Sequence, residues 1–445
     1  MTSTLTPTAV PPQRVALDAL RAVVSGVVAE PHEDAYAEHA TPWNLAVAMS
    51  PAAVVAVRTA EDVVATVRFA SDHGLTVGVH SDLVQRPGRD EQVAGVKWGR
   101  VVEAAAPHGL APLNGSTGDV GVVGYLTGGG VGPMVRTYGC ASDTVRAFEV
   151  VTGDGALRRV TPTEHPDLFF ALRGGKGVGG IVTAVEIDLL PVPQFYGGAL
   201  YFDGADAPAV VDRWRTWSAA LPEAGTSSFV LLQLPPLPFV PPPLAGRLTI
   251  GVRFLWTGDA EEGARHLAAL REVAPVVLDD TGVKPYAAVD SVHADPVDPM
   301  PVVDRSIMLR EFTAETARVL LERTGPAATS PLVIVEVRQL DGALTRPAQH
   351  PSAFVHRHGD YNVLTIGMAF DPAVPEYSDA LFAALAPWDS GRVMPNFVPA
   401  HDVASARRAY DDATLQRLAE VAETYDPARV LAGAAYARAA VLDLA

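Results

Sequence analysis

A two-lobed α+β fold is the architecture that the 445-residue sequence predicts, on three observations. Residues 51–190 alternate short apolar strands with amphipathic helices, residues 193–390 carry longer strands with separate helices, and no segment repeats at a fixed period. A length of this order also exceeds one average domain.

Taken in order, residues 14–28 (RVALDALRAVVSGVV) place apolar side chains at helical spacing and predict a first helix, followed by a loop with His32, Asp34 and Tyr36. AVVAVR (53–58) reads as a buried strand, residues 60–74 as a helix closed by Gly74, and LTVGVH (75–80) as a second strand. Beyond it come a helix over 97–108, a glycine-rich loop, the strand AFEVVTGDG with an Asp-Gly turn, a helix at PDLFFAL, and the strand IVTAVEIDLL. The second lobe is predicted as an antiparallel sheet covered by helices. Its strands include LTIGVRFLW (248–256) and PLVIVEVRQL (331–340), and its helices 258–272 and 312–323. A helix over 402–424 and the turn DPARV predict a tail that returns to the first lobe. The divisions are 1–192, 193–400 and 401–445.

With 48% apolar and 19% charged residues the chain has the balance of a globular protein. A net charge of −17, with no basic cluster, disfavours nucleic acid and anionic membrane surfaces, and leaves a small molecule as the expected partner. One cysteine, Cys140, allows no internal disulfide and no cysteine-based zinc site, so no metal is expected. No basic-then-apolar leader and no membrane-length apolar run are present, which predicts a cytoplasmic protein. The Pro-rich run LPPLPFVPPPL (234–244) has Leu and Phe between its prolines and reads as a packed interlobe loop rather than a peptide ligand.

The most specific stretch is NGSTGDVGVVGYLTGGGVGPMVRTYG (114–139), whose glycines at 121, 124, 128, 129, 130 and 132 allow backbone to approach a ligand. A triple glycine alone also fits tight packing. Together with PAAVVAVRTAEDVVATVRFASDHGL (51–75), VVTGDG (150–155) and HPDLFFALRGGKGVGGIVTAVEIDLLP (165–191), it resembles the flavin lobe of the FAD-linked oxidase superfamily, of the vanillyl-alcohol-oxidase or PCMH type. The bacterial berberine-bridge-enzyme-like branch fits best. PYAAVDSVHADP, VEVRQLDGALTRP, AFVHRHGDYNV and RRAYDDATLQRLAEVAETYDP extend the likeness through the second lobe. The resemblance implies FAD between the lobes, with Gly128, Gly129, Gly130 and Val131 facing its phosphates or ribityl chain, and Thr117 where some relatives place a cysteine bonded to the flavin.

Four departures from that pattern predict loss of the cofactor. After LTVGVH the family's phosphate-wrapping loop is replaced by HSDLVQRPGRDEQVAGVKWGRV, with His80 ahead of the usual histidine position and several strands' worth of chain missing. Lys176 interrupts GGKGVGG, Met394 stands where a tyrosine is common, and Arg429, Leu431 and Ala434 replace polar closing residues. Backbone hydrogen bonds to charged oxygens contribute roughly 1.5–3 kcal/mol each, so loss of a loop weakens FAD binding greatly.

The resulting expectation is a flavin-independent cyclase of natural-product biosynthesis that folds a bulky, mostly apolar polyketide or polyene in the interlobe cavity, without cofactor. The alternatives are an FAD-dependent oxidase, a non-catalytic binding or resistance protein, and an acid/base lyase or isomerase. Segments matching the family's substrate face nominate Glu336, Arg338, His356, Arg357 and Tyr361, with Arg338, His356 or Tyr361 polarising a carbonyl. The same residues also fit a solvated sheet face and a structural His-Arg pair.

Overall fold

The computed structural model describes residues 17–79, 95–238, 240–359, 361–397 and 407–442. In the first lobe β1 (Val27–Ala29) pairs antiparallel with β2 (Val54–Ala56). A separate antiparallel sheet runs β4 (Leu157–Val160), β3 (Val145–Val151), β5 (Ile181–Ile187). The Asp-Gly turn joins β3 to β4, with Gly155 at φ +71° where a side chain would strain the backbone. The helix Ala60–Asp72 begins where the Thr59 side chain accepts from the Asp62 amide. Trp98, Phe148, Leu168 and Phe169 centre the lobe's core, and Leu418 and Val421 of the C-terminal helix Asp412–Tyr425 complete it. That tail is tied down by Gly153 N donating to Tyr425 O at 2.7 Å and Val77 N to Val430 O at 2.7 Å.

The second lobe is one antiparallel sheet built from β6 (Gln194–Asp203), β7 (Gly225–Gln233), β8 (Leu248–Trp256), β9 (Val276–Asp279), β10 (Gly282–Pro285), β11 (Val302–Leu309), β12 (Leu332–Gln339) and β13 (Tyr361–Met368). Its order is β10-β6-β8-β7-β12-β13-β11, with β9 also on β6. Side-chain alternation gives the sheet two distinct faces. One carries Phe229, Val252, Val337 and Val363 against Trp214, Leu267, Leu320 and Leu381 of the covering helices. The other carries polar residues among apolar ones and meets the first lobe, where Leu255, Tyr286 and Val292 join that lobe's core.

Three local differences have physical causes. The helix expected over 14–28 is confined to Asp18–Arg21 among the described residues, because Gly26 passes so close to Ala56 O that a Cβ would sit 1.9 Å from it, and the chain enters β1. Expected strand 75–80 contributes only a bridge, Val77 to Leu431, since its partner lies at the far end of the sequence. Val240 and Leu244 of the Pro-rich run pack on Tyr201, Val230 and Leu232, on the polar face of the sheet. His80 and the segment following it lie outside the described residues.

Candidate active site

Register across the second sheet places Arg253, Ser228, Arg338 and Asn362 side by side on neighbouring strands, all on the face toward the first lobe. Glu336, two residues before Arg338 on β12, shares that face and is almost wholly buried. Its carboxylate accepts from Ser228 Oγ at 2.8 Å, Arg253 Nη1 at 2.7 Å and Arg338 Nε at 2.7 Å. His293 Nε2 lies 3.6 Å from the same carboxylate, and Asp295 3.8 Å from Arg253. Burial alone would raise the Glu336 pKa, but the Arg338 and Arg253 guanidiniums override it and hold the carboxyl well below the usual range. Burial, followed by the same two cations, pushes His293 well below its ordinary value and keeps the imidazole neutral.

Ser228, Arg253, His293 and Arg338 of this cluster line a narrow, partly open cleft between the lobes. Val131, Gly132, Pro133 and Val135 of the first lobe form its opposite wall, and Leu255, Val292 and Leu340 supply apolar surface. Several buried polar atoms here have no partner among the described residues: Arg253 Nε, His293 Nδ1 and Thr226 Oγ1 on the cavity lining, Asn362 Nδ2 beside Arg338, and the Tyr125 hydroxyl. Buried polar groups in native proteins are normally paired, so these atoms are available to a polar group that enters the cleft. Sequence reasoning nominated Glu336 and Arg338 but missed Arg253, Ser228, His293 and Tyr125. The alternation in LTIGVRFLW, with Arg253 between Gly251 and Leu255, was the available signal for Arg253.

The glycine-rich turn follows the helix Val122–Thr127 and is shaped by Gly129 and Gly130 at φ +96° and +84°. Gly129 O accepts from Ser142 N and Gly130 O from Ala141 N. Among the described residues the amides of Gly130, Val131 and Gly132 donate to no carbonyl or side chain, and the last two residues line the cavity. Consecutive unsatisfied amides of this kind suit an acceptor-rich ligand such as a pyrophosphate or ribityl chain. The turn therefore fits FAD. Other contacts fix it in place: a Cβ on Gly132 would meet Asn114 O at 2.0 Å and one on Gly129 the Phe354 ring at 2.2 Å.

The remaining nominated residues lie elsewhere. Tyr361 falls on the opposite face of β13 and packs against Trp214 and Phe312, because register pairs it with Gln339 rather than with Arg338. His356 is buried with Nε2 2.8 Å from Ala409 O, joining the second lobe to the C-terminal segment. Arg357 donates to Asp143 at 2.8 Å, and Arg173 reaches the same carboxylate, so it clamps the lobes together. Thr117 lies in the 114–119 loop, which second-lobe carboxylates hold: Gly118 N donates to Asp290 and Ser116 Oγ to Asp295, at 2.8 and 2.6 Å.

An FAD binding domain family matches residues 91–161, the segment that contains this turn and the β3–β4 hairpin. The FAD-linked oxidoreductase sorD of Penicillium rubens is 26% identical over 458 aligned residues, covering 91% of this chain and 93% of that protein. The berberine-bridge-enzyme-like protein 1 of Physcomitrella patens superposes with a TM-score of 0.77 at 18% identity, over 93% of this chain and 97% of that one. The chain has the FAD-linked oxidase fold, with an FAD binding domain match over residues 91–161.

The expectation of a superfamily member without cofactor is corrected by these findings: the matched domain and the FAD-linked relatives point to FAD. Of the sequence changes that suggested its loss, the loop after LTVGVH lies outside the described residues, and Met394, Leu431, Ala434 and Lys176 are engaged within the protein. Met394 is buried with Val131, Phe354 and Leu340, Leu431 and Ala434 fill the first-lobe core, and Lys176 Nζ reaches Asn396 Oδ1 at 2.5 Å. None removes the three open amides. The flavin-independent cyclase reading rests on loss of the cofactor, and the relatives support an FAD-linked oxidoreductase instead. The glucooligosaccharide oxidase of Acremonium strictum, which carries a 6-S-cysteinyl, 8α-N1-histidyl FAD, superposes with a TM-score of 0.76 at 17% identity, over 93% of this chain and 97% of that one. Cys140 is the single cysteine of this chain. It is fully buried with Sγ 2.9 Å from Gly129 O, and burial, then Asp143, pushes its thiol up to about 12. Among the described residues no helix is long and apolar enough to cross a membrane.

Proposed function

We propose that this chain is an FAD-dependent oxidoreductase that oxidises a small, mostly apolar molecule in the cavity between Val131–Val135 and the Glu336 cluster. The observation that carries this reading is the position of the open amides of Val131 and Gly132, which lie in the FAD-matched segment and on the wall of that cavity. When bound, FAD supplies an acceptor for the hydride leaving a substrate carbon.

The chain's own residues do the rest. His293, neutral and with Nδ1 unpartnered, accepts a hydrogen bond from the substrate's heteroatom and orients it, while burial and the two guanidiniums oppose its protonation. Glu336 does not serve as the base, because three donors bond it and the two guanidiniums disfavour its protonation. It holds Arg253 and Arg338 in place. Leu255, Val292 and Leu340 exclude water and grip the apolar body of the substrate. The experiment is to mix purified protein with excess FAD and pass it through gel filtration. Visible flavin absorbance co-eluting with the protein is the expected result, and a colourless protein peak overturns the reading.

A further inference from the structure

The cavity's donors and acceptors are unbalanced in a way that identifies the substrate's polar end. Glu336 is the acceptor at the centre of the cluster, and three donors already occupy its two oxygens. Asp295, on the rim, is taken by Ser116 Oγ at 2.6 Å and faces Arg253. Donors remain open. Arg338 uses only Nε on Glu336, so among the described residues neither of its terminal nitrogens has a hydrogen-bond partner, although its side chain is only 13% exposed. Its guanidinium lies over the Phe397 ring, 5.4 Å from the centroid, which fixes the plane of the fork. Arg253 spends Nη1 on Glu336 and Nη2 on His293 O at 2.9 Å, and its buried Nε has no partner.

We infer that the substrate carries a carboxylate, received by the terminal nitrogens of Arg338 on the cavity wall, with an apolar body lying along Leu255, Val292 and Leu340. A planar guanidinium edge matches a planar two-oxygen acceptor, and the terminal nitrogens of Arg338 can only donate, so an anionic acceptor suits them better than a neutral amide. Glu336 positions the fork by holding its Nε edge, which leaves the other edge turned outward for the ligand. This substrate class rests on the oxidoreductase reading for its chemistry, but not for its binding.

Isothermal titration calorimetry with benzoate and its neutral counterpart benzamide, on the FAD-treated protein and on protein without added FAD, tests the anchor. Benzoate is expected to bind roughly tenfold or more tighter than benzamide, as loss of a charge-assisted pair implies. Arg338→Met should erase the preference, and Arg338→Lys should keep part of it. Equal binding of the two probes by the unsubstituted protein overturns the anchor, and needs no variant that folds. So does an Arg338→Met protein that keeps the preference, or one that loses FAD retention while the unsubstituted protein treats both probes alike, which would assign Arg338 to the flavin instead. Benzoate preference in a protein that retains no FAD supports the anchor and overturns the oxidoreductase reading separately.

Discussion

Replacing Glu336 with leucine should be among the most damaging single changes in the second lobe, for reasons of charge rather than of packing. The carboxylate is 1% exposed and receives hydrogen bonds at 2.7, 2.7 and 2.8 Å. Without it the Arg253 guanidinium, itself buried, keeps only the His293 carbonyl and the distant Asp295. Removing one partner of a buried ion pair costs about 3–5 kcal/mol, because the other charge stays behind uncompensated. Arg253→Met combined with Glu336→Leu removes that orphaned cation, and Arg338, the more exposed arginine, can turn toward water. The double variant should therefore be more stable than Glu336→Leu alone, with a coupling of about 2 kcal/mol. Urea unfolding followed by tryptophan fluorescence provides the assay, since Trp214 and Trp256 pack on the opposite face of the same sheet. If the two single losses simply add, Glu336 does not compensate Arg253 and the cluster as described is wrong.

Three further outcomes follow from the same structure. His356, pushed down to about 4 by burial and by the neighbouring Arg392 and His358, binds a proton less readily folded than unfolded, so stability should be constant above its ordinary value of 6.5 and fall by about 3 kcal/mol as pH drops from there to about 4. Urea midpoints measured across that window should decline, and His356→Leu should flatten the decline; an unchanged slope would remove His356 as its source. Cys140 should resist iodoacetamide in the native protein and appear unmodified by flavin in a peptide mass spectrum, and a flavin adduct there would contradict its placement in the core. Gly132→Ala drives a Cβ to 2.0 Å from the Asn114 carbonyl, a backbone atom, and should cost at least about 1–3 kcal/mol in urea unfolding; a neutral effect would mean the turn is not held as described.

Most of the fold was readable from local pattern. LTIGVRFLW forms β8 over the very residues expected, the Asp-Gly turn closes β3 on β4, and helices at 260–271 and 314–324 fall within two residues of their predicted ends. Segments whose partner is remote in sequence were less readable: residues 75–80 depend on Leu431, and residues 14–28 yield to the approach of Gly26 to Ala56. The site divides in the same way. Glu336 and Arg338 stand out as charges alternating along an apolar strand, but which charges face them is decided by the register of β7, β8 and β13. A shift of one residue exchanges the faces, and this is why Tyr361 lies in the helix-covered core while Asn362 sits beside Arg338. Residue substitutions around the glycine turn looked like lost flavin contacts because sequence shows the changed side chains and not the backbone amides. The amides of Gly130, Val131 and Gly132 are independent of those side chains.

That FAD is held by these amides is the central claim, and hydrogen exchange at residues 128–134 with and without FAD tests it most directly. The account predicts that exchange at Gly130, Val131 and Gly132 slows when FAD is added to the protein, while β6–β8 of the second lobe change little. Exchange at the turn that is the same at saturating FAD as without it would contradict the claim.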